Sequence, residues 1–320
     1  MPLPPALRRL HISTSILSLF ILPAQIHAQA IPSGSSNYAA GSRTASASTN
    51  DAGPSGIVPF TQGFNVSLGT SSQHDSSDSW SSILTPGLAY RFNRLFSLSA
   101  SVPVYAYVNV QANTGTKTKP VYVPETKHGV PGDTTFAAHL DAHPAQLDYN
   151  ATLSLGLPSG NTAYGLGAGQ TTYDVNNHFE KSFGIFSPDI EFGIASSNNL
   201  IQTRVHKSYT SVGTLAHFQA GTSIDLPLNM SFEADAYEIL PLNSSTIYSA
   251  TGKGKKKVNT ATTTGNAEDN GFIASLDIPV SGHVTLSGFY DRSIRNLNDV
   301  AGLSLTFLMR APPSRKETIR

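Results

Sequence analysis

The sequence predicts an all-β fold, a transmembrane antiparallel up-and-down β-barrel of about twelve strands with short turns at one end and long loops at the other. Three observations predict it. Apolar and polar residues alternate with a period of two in one segment after another, the connections alternate between short and long, and the composition is polar yet poor in charge.

The composition narrows the classes first. Of 320 residues only 13% are charged, the formal net charge is zero, and 39% are hydrophobic. A nucleic-acid partner needs a clustered positive surface, so none is expected. The chain is too polar for a helical membrane protein and too poor in charge for an ordinary soluble domain. A barrel whose apolar outer face alternates with an inner Ser/Thr/Asn/Gly face has this balance. With no cysteine there is no disulfide, thiolate nucleophile or Cys-ligated metal.

Residues 1–30 have the features of a signal peptide. Arg8 and Arg9 supply a positive start, residues 12–22 form a short apolar core, Pro23 breaks it, and Ala28-Gln29-Ala30 offers small residues for cleavage. The apolar run is shorter than the ~20 residues of a spanning helix. Residues 31–57 are rich in Ser, Ala, Gly and Asn and read as a disordered periplasmic tail, 58–310 as the barrel, and 311–320 as a flexible C-terminal tail.

From Phe60 the period becomes two. Every even position from Phe96 to Val108 is apolar, against Ser97, Ser99, Ser101, Pro103, Tyr105 and Tyr107. A strand sends alternate side chains to opposite faces, so this segment has one greasy and one polar face. Similar runs include Phe64, Val66 and Leu68; Phe136, Ala138 and Leu140; Ala151, Leu153 and Leu155; Ala216, Phe218 and Ala220; Phe232, Ala234 and Ala236; Phe272, Ala274 and Leu276; and Leu303, Leu305 and Phe307. Strand centres are expected near 66, 86, 102, 138, 153, 177, 191, 219, 235, 276, 287 and 305, with 171–183 alternating least well. Short turns are expected at 92–95, 143–146, 227–229 and 281–283, and longer polar loops at 73–79, 111–132, 159–170, 197–211 and 244–270. A soluble β-sandwich also alternates, but its strands are usually ~5–6 residues long and its outer faces carry more Lys and Glu.

On this register the inner face carries Asp133, Asp141, Asp189, Glu191, Asp225, Glu233, Asp235 and Asp277, with Arg91 as the main base. Carboxylates lining a pore favour cations, so these nine are the expected pore-lining residues. His139, Asp141 and His143 lie at spacings of two, which puts metal-competent side chains on one side of a strand. A solvated inner face accounts for them without an ion, and no metal is expected. Gly165-Leu166-Gly167-Ala168-Gly169 lacks the helix and the Gly-Lys-Ser/Thr of a phosphate loop, and no cofactor is expected. Lys253, Lys255, Lys256 and Lys257 sit in the longest loop, where they suit either lipopolysaccharide phosphates or plain solvation.

Four stretches stand out in order along the chain: Gly132-Asp133, Leu157-Pro158-Ser159-Gly160, Gly165-Leu166-Gly167-Ala168-Gly169-Gln170 and Ala301-Gly302-Leu303-Ser304-Leu305-Thr306-Phe307. In them the chain resembles the MetA-pathway phenol-degradation and transporter family of outer-membrane β-barrel proteins. Outer-membrane barrels usually end at an aromatic residue, whereas Phe307 is followed by a tail through Arg320. The resemblance implies a non-enzymatic channel or facilitated-diffusion transporter for small, hydrophobic or aromatic solutes in the bacterial outer membrane. It also implies contact with outer-membrane lipids and lipopolysaccharide, and insertion by barrel assembly machinery. A surface lipid-active barrel resembling the outer-membrane phospholipases is the enzymatic alternative, though no Gly-x-Ser-x-Gly is present. A structural or adhesive barrel is the third.

Overall fold

The computed structural model describes residues 62–310, except 77–78, 114–121, 145–146, 162–163, 165, 197–208, 212, 244, 252–257, 265–267 and 296. The expected signal peptide, both expected tails and the lysine run at 253–257 therefore lie outside the described residues.

Twelve strands close into a barrel. They are β1 (Gly63–Asp75), β2 (Ser79–Arg91), β3 (Phe96–Ser101, continuing as Val104–Asn113), β4 (Tyr122–Lys127, Val130–Pro131 and Thr134–Ala142) and β5 (Asp148–Leu157). After them come β6 (Thr172–Glu180), β7 (Phe186–Ser196), β8 (Thr214–Leu226), β9 (Met230–Pro241), β10 (Asp269–Ser281), β11 (Val284–Ser293) and β12 (Asn298–Arg310). Each pairs antiparallel with the next, and β12 returns to β1 from Asn65↔Arg310 to Asp75↔Val300. Closure leaves the wall no free edge, the condition for a sheet to cross a bilayer with its backbone satisfied.

The wall is apolar outside and polar inside. Phe64, Tyr90, Leu98, Ala138, Leu153, Val175, Ile194 and Ala216 form one continuous row of outward positions across β1 to β8. Outward Leu303 is 63% exposed, whereas inward Leu215 and Asp291 are at 0% and 1%. A soluble surface does not carry a contiguous apolar band of this extent. Aromatic side chains gather outside at the short-turn end, where Phe64, Tyr90, Phe92 and Phe96 stand in contact at 4.7–5.5 Å between ring centres. Phe272 and Tyr290, 6.0 Å apart, stand nearer the other end. Two girdles around an apolar belt, on strands near the ~9–11 residues that cross a tilted wall, are the outer surface of a transmembrane barrel.

Each expected strand centre falls within a strand except 102, which marks an interruption in β3. Pro103 has no N–H to give the ladder, and the pairing slips between Ser82↔Tyr107 and Ile83↔Tyr105. The slip reverses the faces. Phe96 and Leu98 point outward and Tyr105 inward, as the alternation expects, but beyond the slip the even positions Val108 and Val110 are buried on the inside. The single unbroken alternation expected from Phe96 to Val108 is thus two half-strands facing opposite ways.

The connections also differ from expectation in places. A fifth short turn lies at 181–185, where Phe183 and Phe186 form an isolated bridge. Residues 73–79 are not a loop, because β1 runs to Asp75 and β2 starts at Ser79. The last connection at this end, 294–297, is equally tight. The long connections at 197–213 and 242–268 contain Tyr209–Ser211, Ser245–Thr251 and Val258–Thr264, which pair into a second, three-stranded sheet.

Candidate functional site

The inner wall of β6 to β9 carries the densest group of ionisable side chains. Reading inward positions along these strands gives Asp174, His178 and Glu180 on β6, Asp189 and Glu191 on β7, His217 and Asp225 on β8, and Glu233 and Asp235 on β9. No lysine or arginine occurs in any of the four strands. This sector is therefore rich in carboxylates, with His178 and His217 set among them.

Geometry ties the sector together. His178 Nδ1 lies 3.9 Å from Asp189 and 3.7 Å from Glu191, and its Nε2 is 3.7 Å from Glu180. His217 Nε2 reaches Asp174 Oδ1 at 3.3 Å. That reach crosses a whole strand, from β8 over β7 to β6, and Gly193 permits it. A Cβ on Gly193 would sit 2.4 Å from His217 Nε2. Gly221 does the same for Asp235, whose Oδ1 would be 2.0 Å from a Cβ there. Gly221 pairs with Asp189 on one side and Asp235 on the other. The two carboxylates approach over the glycine, and oxygens of Asp189, Glu233 and Asp235 lie within 4.8 Å of one another. Side chains here lie along the wall instead of reaching across the lumen.

On the opposite side the inner wall is hydrogen-bonded and nearly neutral. Arg91 pairs with Asp141 at 3.4 Å, and Asn150 donates to the second Asp141 oxygen. Thr152 donates to Asn150 Oδ1 at 3.2 Å. His139 Nδ1 lies 3.1 Å from Thr152 Oγ1 and its Nε2 lies 2.9 Å from Ser99 Oγ. Because the Thr152 proton goes to Asn150, His139 donates from Nδ1 and accepts the Ser99 hydroxyl at Nε2.

The residues expected to line the pore fall into three groups. Arg91, Asp141, Asp189, Glu191, Glu233, Asp235 and Asp277 point inward from strands. Asp225 also points inward but is exposed at the short-turn end, where its N–H donates to Ile185 O at 2.9 Å. Asp133 lies in the interruption of β4, and its carboxylate accepts N–H donations from Gly160 at 2.7 Å and Ala168 at 2.6 Å. It holds a loop instead of facing the lumen as one more wall carboxylate. The structure does not bring His139, Asp141 and His143 together, since His143 stands exposed in the turn, 2.6 Å from Asp148. Among the described residues, the group whose donor atoms converge is instead Asp189, Glu233 and Asp235.

Sequence reasoning missed His178, Glu180, Asp174 and His217. The signal was present on β6, where Thr172, Asp174, Asn176, His178 and Glu180 alternate with Tyr173, Val175 and Phe179. Asn177 broke the outward set and hid the period. In the structure its Oδ1 accepts from outward Tyr149 Oη at 2.9 Å, which makes the amide tolerable there.

Nearer the loop end the inner wall carries two apolar clusters. Ala195, Leu215, Tyr237, Ile239 and Ile273 form one buried cluster. Tyr105, Val108, Val110 and Leu166 form another, flanked by Ile83, Val130 and Tyr164. At the loop end the interior therefore combines these apolar clusters with buried Asp75, Asp269 and Asp291, and the β6–β9 carboxylates lie beyond them.

No family model matches the chain, and no curated protein does. Among solved structures it is similar to an outer-membrane channel from Pseudomonas putida F1, at 15% identity and a TM-score of 0.48 over 81% of this chain and 99% of that one. It is also similar to a monoaromatic hydrocarbon channel, at 9% identity and a TM-score of 0.41 over 79% and 90%. A third similar structure is outer membrane phospholipase A from Escherichia coli, at 10% identity and a TM-score of 0.38 over 79% and 94%. Likenesses at this level separate neither a channel from an enzyme nor one solute from another.

Proposed function

We propose that the protein is a passive channel of the bacterial outer membrane, directed there by the export signal at residues 1–30. It passes small solutes with an apolar or aromatic face and prefers cations over anions. The observation that carries this is the closed wall with a lipid-type exterior and an inner face whose β6–β9 sector holds carboxylates without a lysine or arginine. Fixed anions in a confined passage raise the local concentration of cations and repel anions. The apolar clusters nearer the loop end would meet the uncharged part of a solute first, when short turns face the periplasm as in other such barrels.

The Ser99–His139 contact bears on the enzymatic alternative. Its 2.9 Å separation suits a nucleophile and base, but His139 is 3% exposed inside the barrel and its other nitrogen meets a threonine, not a carboxylate. A lipid-active pair would have to meet acyl chains on the outer surface. Swelling of liposomes containing purified protein tests the proposal. Small aromatic amines should enter faster than aromatic carboxylates of equal size. Phospholipid turnover without permeation would favour the enzyme, and neither would leave an adhesive or structural role.

A further inference from the structure

The connection between β5 and β6 turns inward at the loop end. Leu166, at 8% exposure, packs with Tyr105 and with Val108 and Val110, which the slip in β3 brings to the inner face. Its N–H donates to Asn161 O at 3.0 Å, and the Asn161 N–H reaches back to Pro131 O at 3.4 Å. Tyr164 flanks the cluster, and the Lys127 ammonium sits 4.8 Å over its ring.

One carboxylate fastens this arrangement. Asp133 accepts from Gly160 with Oδ1 and from Ala168 with Oδ2, so the two ends of a nine-residue stretch share one side chain. Ser159 adds a third tie, its Oγ accepting the Thr134 N–H at 2.8 Å and donating to Gly132 O at 3.3 Å. The fit is tight: a Cβ on Gly167 would lie 2.7 Å from Gly160 C and 2.8 Å from Asp133 Oδ1. Charge-assisted bonds to backbone N–H groups are the stronger kind, and two on one carboxylate fix both position and orientation.

Building on the channel reading, we infer that Leu166 and the residues clasped with it, Gly160, Gly167 and Ala168, form the constriction that sets the channel's size limit, and that Asp133 is their positioning residue. The carboxylate touches no solute. It holds Leu166 against the inner wall, where an uncharged side chain narrows the passage ahead of the carboxylate-rich sector. Loosening the clasp widens the passage without altering the wall beyond it.

The native chain has no cysteine, so Leu166→Cys creates a unique thiol. Its reaction with a water-soluble maleimide reports release of the loop whether or not the protein conducts. Asp133→Asn keeps the shape but turns an N–H donor toward backbone donors, and Gly167→Ala disturbs the same clasp without removing a charge. Heat-modifiable gel migration confirms that each variant is folded. Both changes should speed labelling by about tenfold or more, for a loss on the scale of one charge-assisted bond. Both should also raise the single-channel conductance and the size cut-off in liposome swelling. Labelling unchanged in both folded variants overturns the clasp. Faster labelling with unchanged conductance in a conducting protein overturns the constriction while leaving the channel intact. If neither the native protein nor a fast-labelling variant conducts, the channel and the constriction both fail.

Discussion

At the residue scale, the absence of a side chain at two inward positions shapes the carboxylate-rich sector. His217 reaches Asp174, and Asp235 approaches Asp189, only across Gly193 and Gly221. Gly193→Ala should therefore displace His217 and lower stability by about 1–3 kcal/mol, the usual scale of overpacking at a filled position. Urea denaturation in detergent micelles checks this, and native stability in the variant would refute the close approach. These contacts were not legible in the sequence. Alternation shows which face a residue takes, but lateral reach across an intervening strand depends on register and on what the middle strand lacks. Asp133 shows the same limit. Its partners Gly160 and Ala168 lie 27 and 35 positions away, so the residue read as one more inner carboxylate while its geometry makes it a clasp.

At the element scale, the strands were legible because period two is local and lipid demands it on one face. β5 alternates cleanly, with outward Leu153 and inward Ser154. Leu153→Arg should destabilise the inserted barrel by about 2–4 kcal/mol, the scale for a cation near the bilayer midplane, whereas Ser154→Arg should cost much less. Refolding into lipid vesicles against urea measures both, and the reverse order would contradict the assigned faces. The faces of β3 were legible only to Tyr105, because a bulge adds a residue without leaving a compositional mark. The β8–β9 turn offers a separate check. Leu228 has φ 65° and is exposed, a conformation unfavourable for a residue with a Cβ. Leu228→Gly should raise stability by about 0.4–1 kcal/mol, measured by the same denaturation, and a loss there would place the turn in another conformation.

At the scale of the whole molecule, an acidic inner wall inside an apolar shell is what gives a neutral chain a direction of selectivity. The net charge of zero conceals it, because the lysines and arginines lie elsewhere and β6 to β9 hold neither. The barrel, its approximate strand count and most inward carboxylates followed from alternation. Their grouping on one side around His178 required closure and register. Planar-bilayer recording across a potassium chloride gradient tests this most directly. The native protein should give discrete conductance steps with a reversal potential displaced toward the potassium equilibrium value, and the double variant Asp189→Asn, Glu191→Gln should move it toward zero. Absence of steps, or a native reversal potential on the chloride side, would contradict the account.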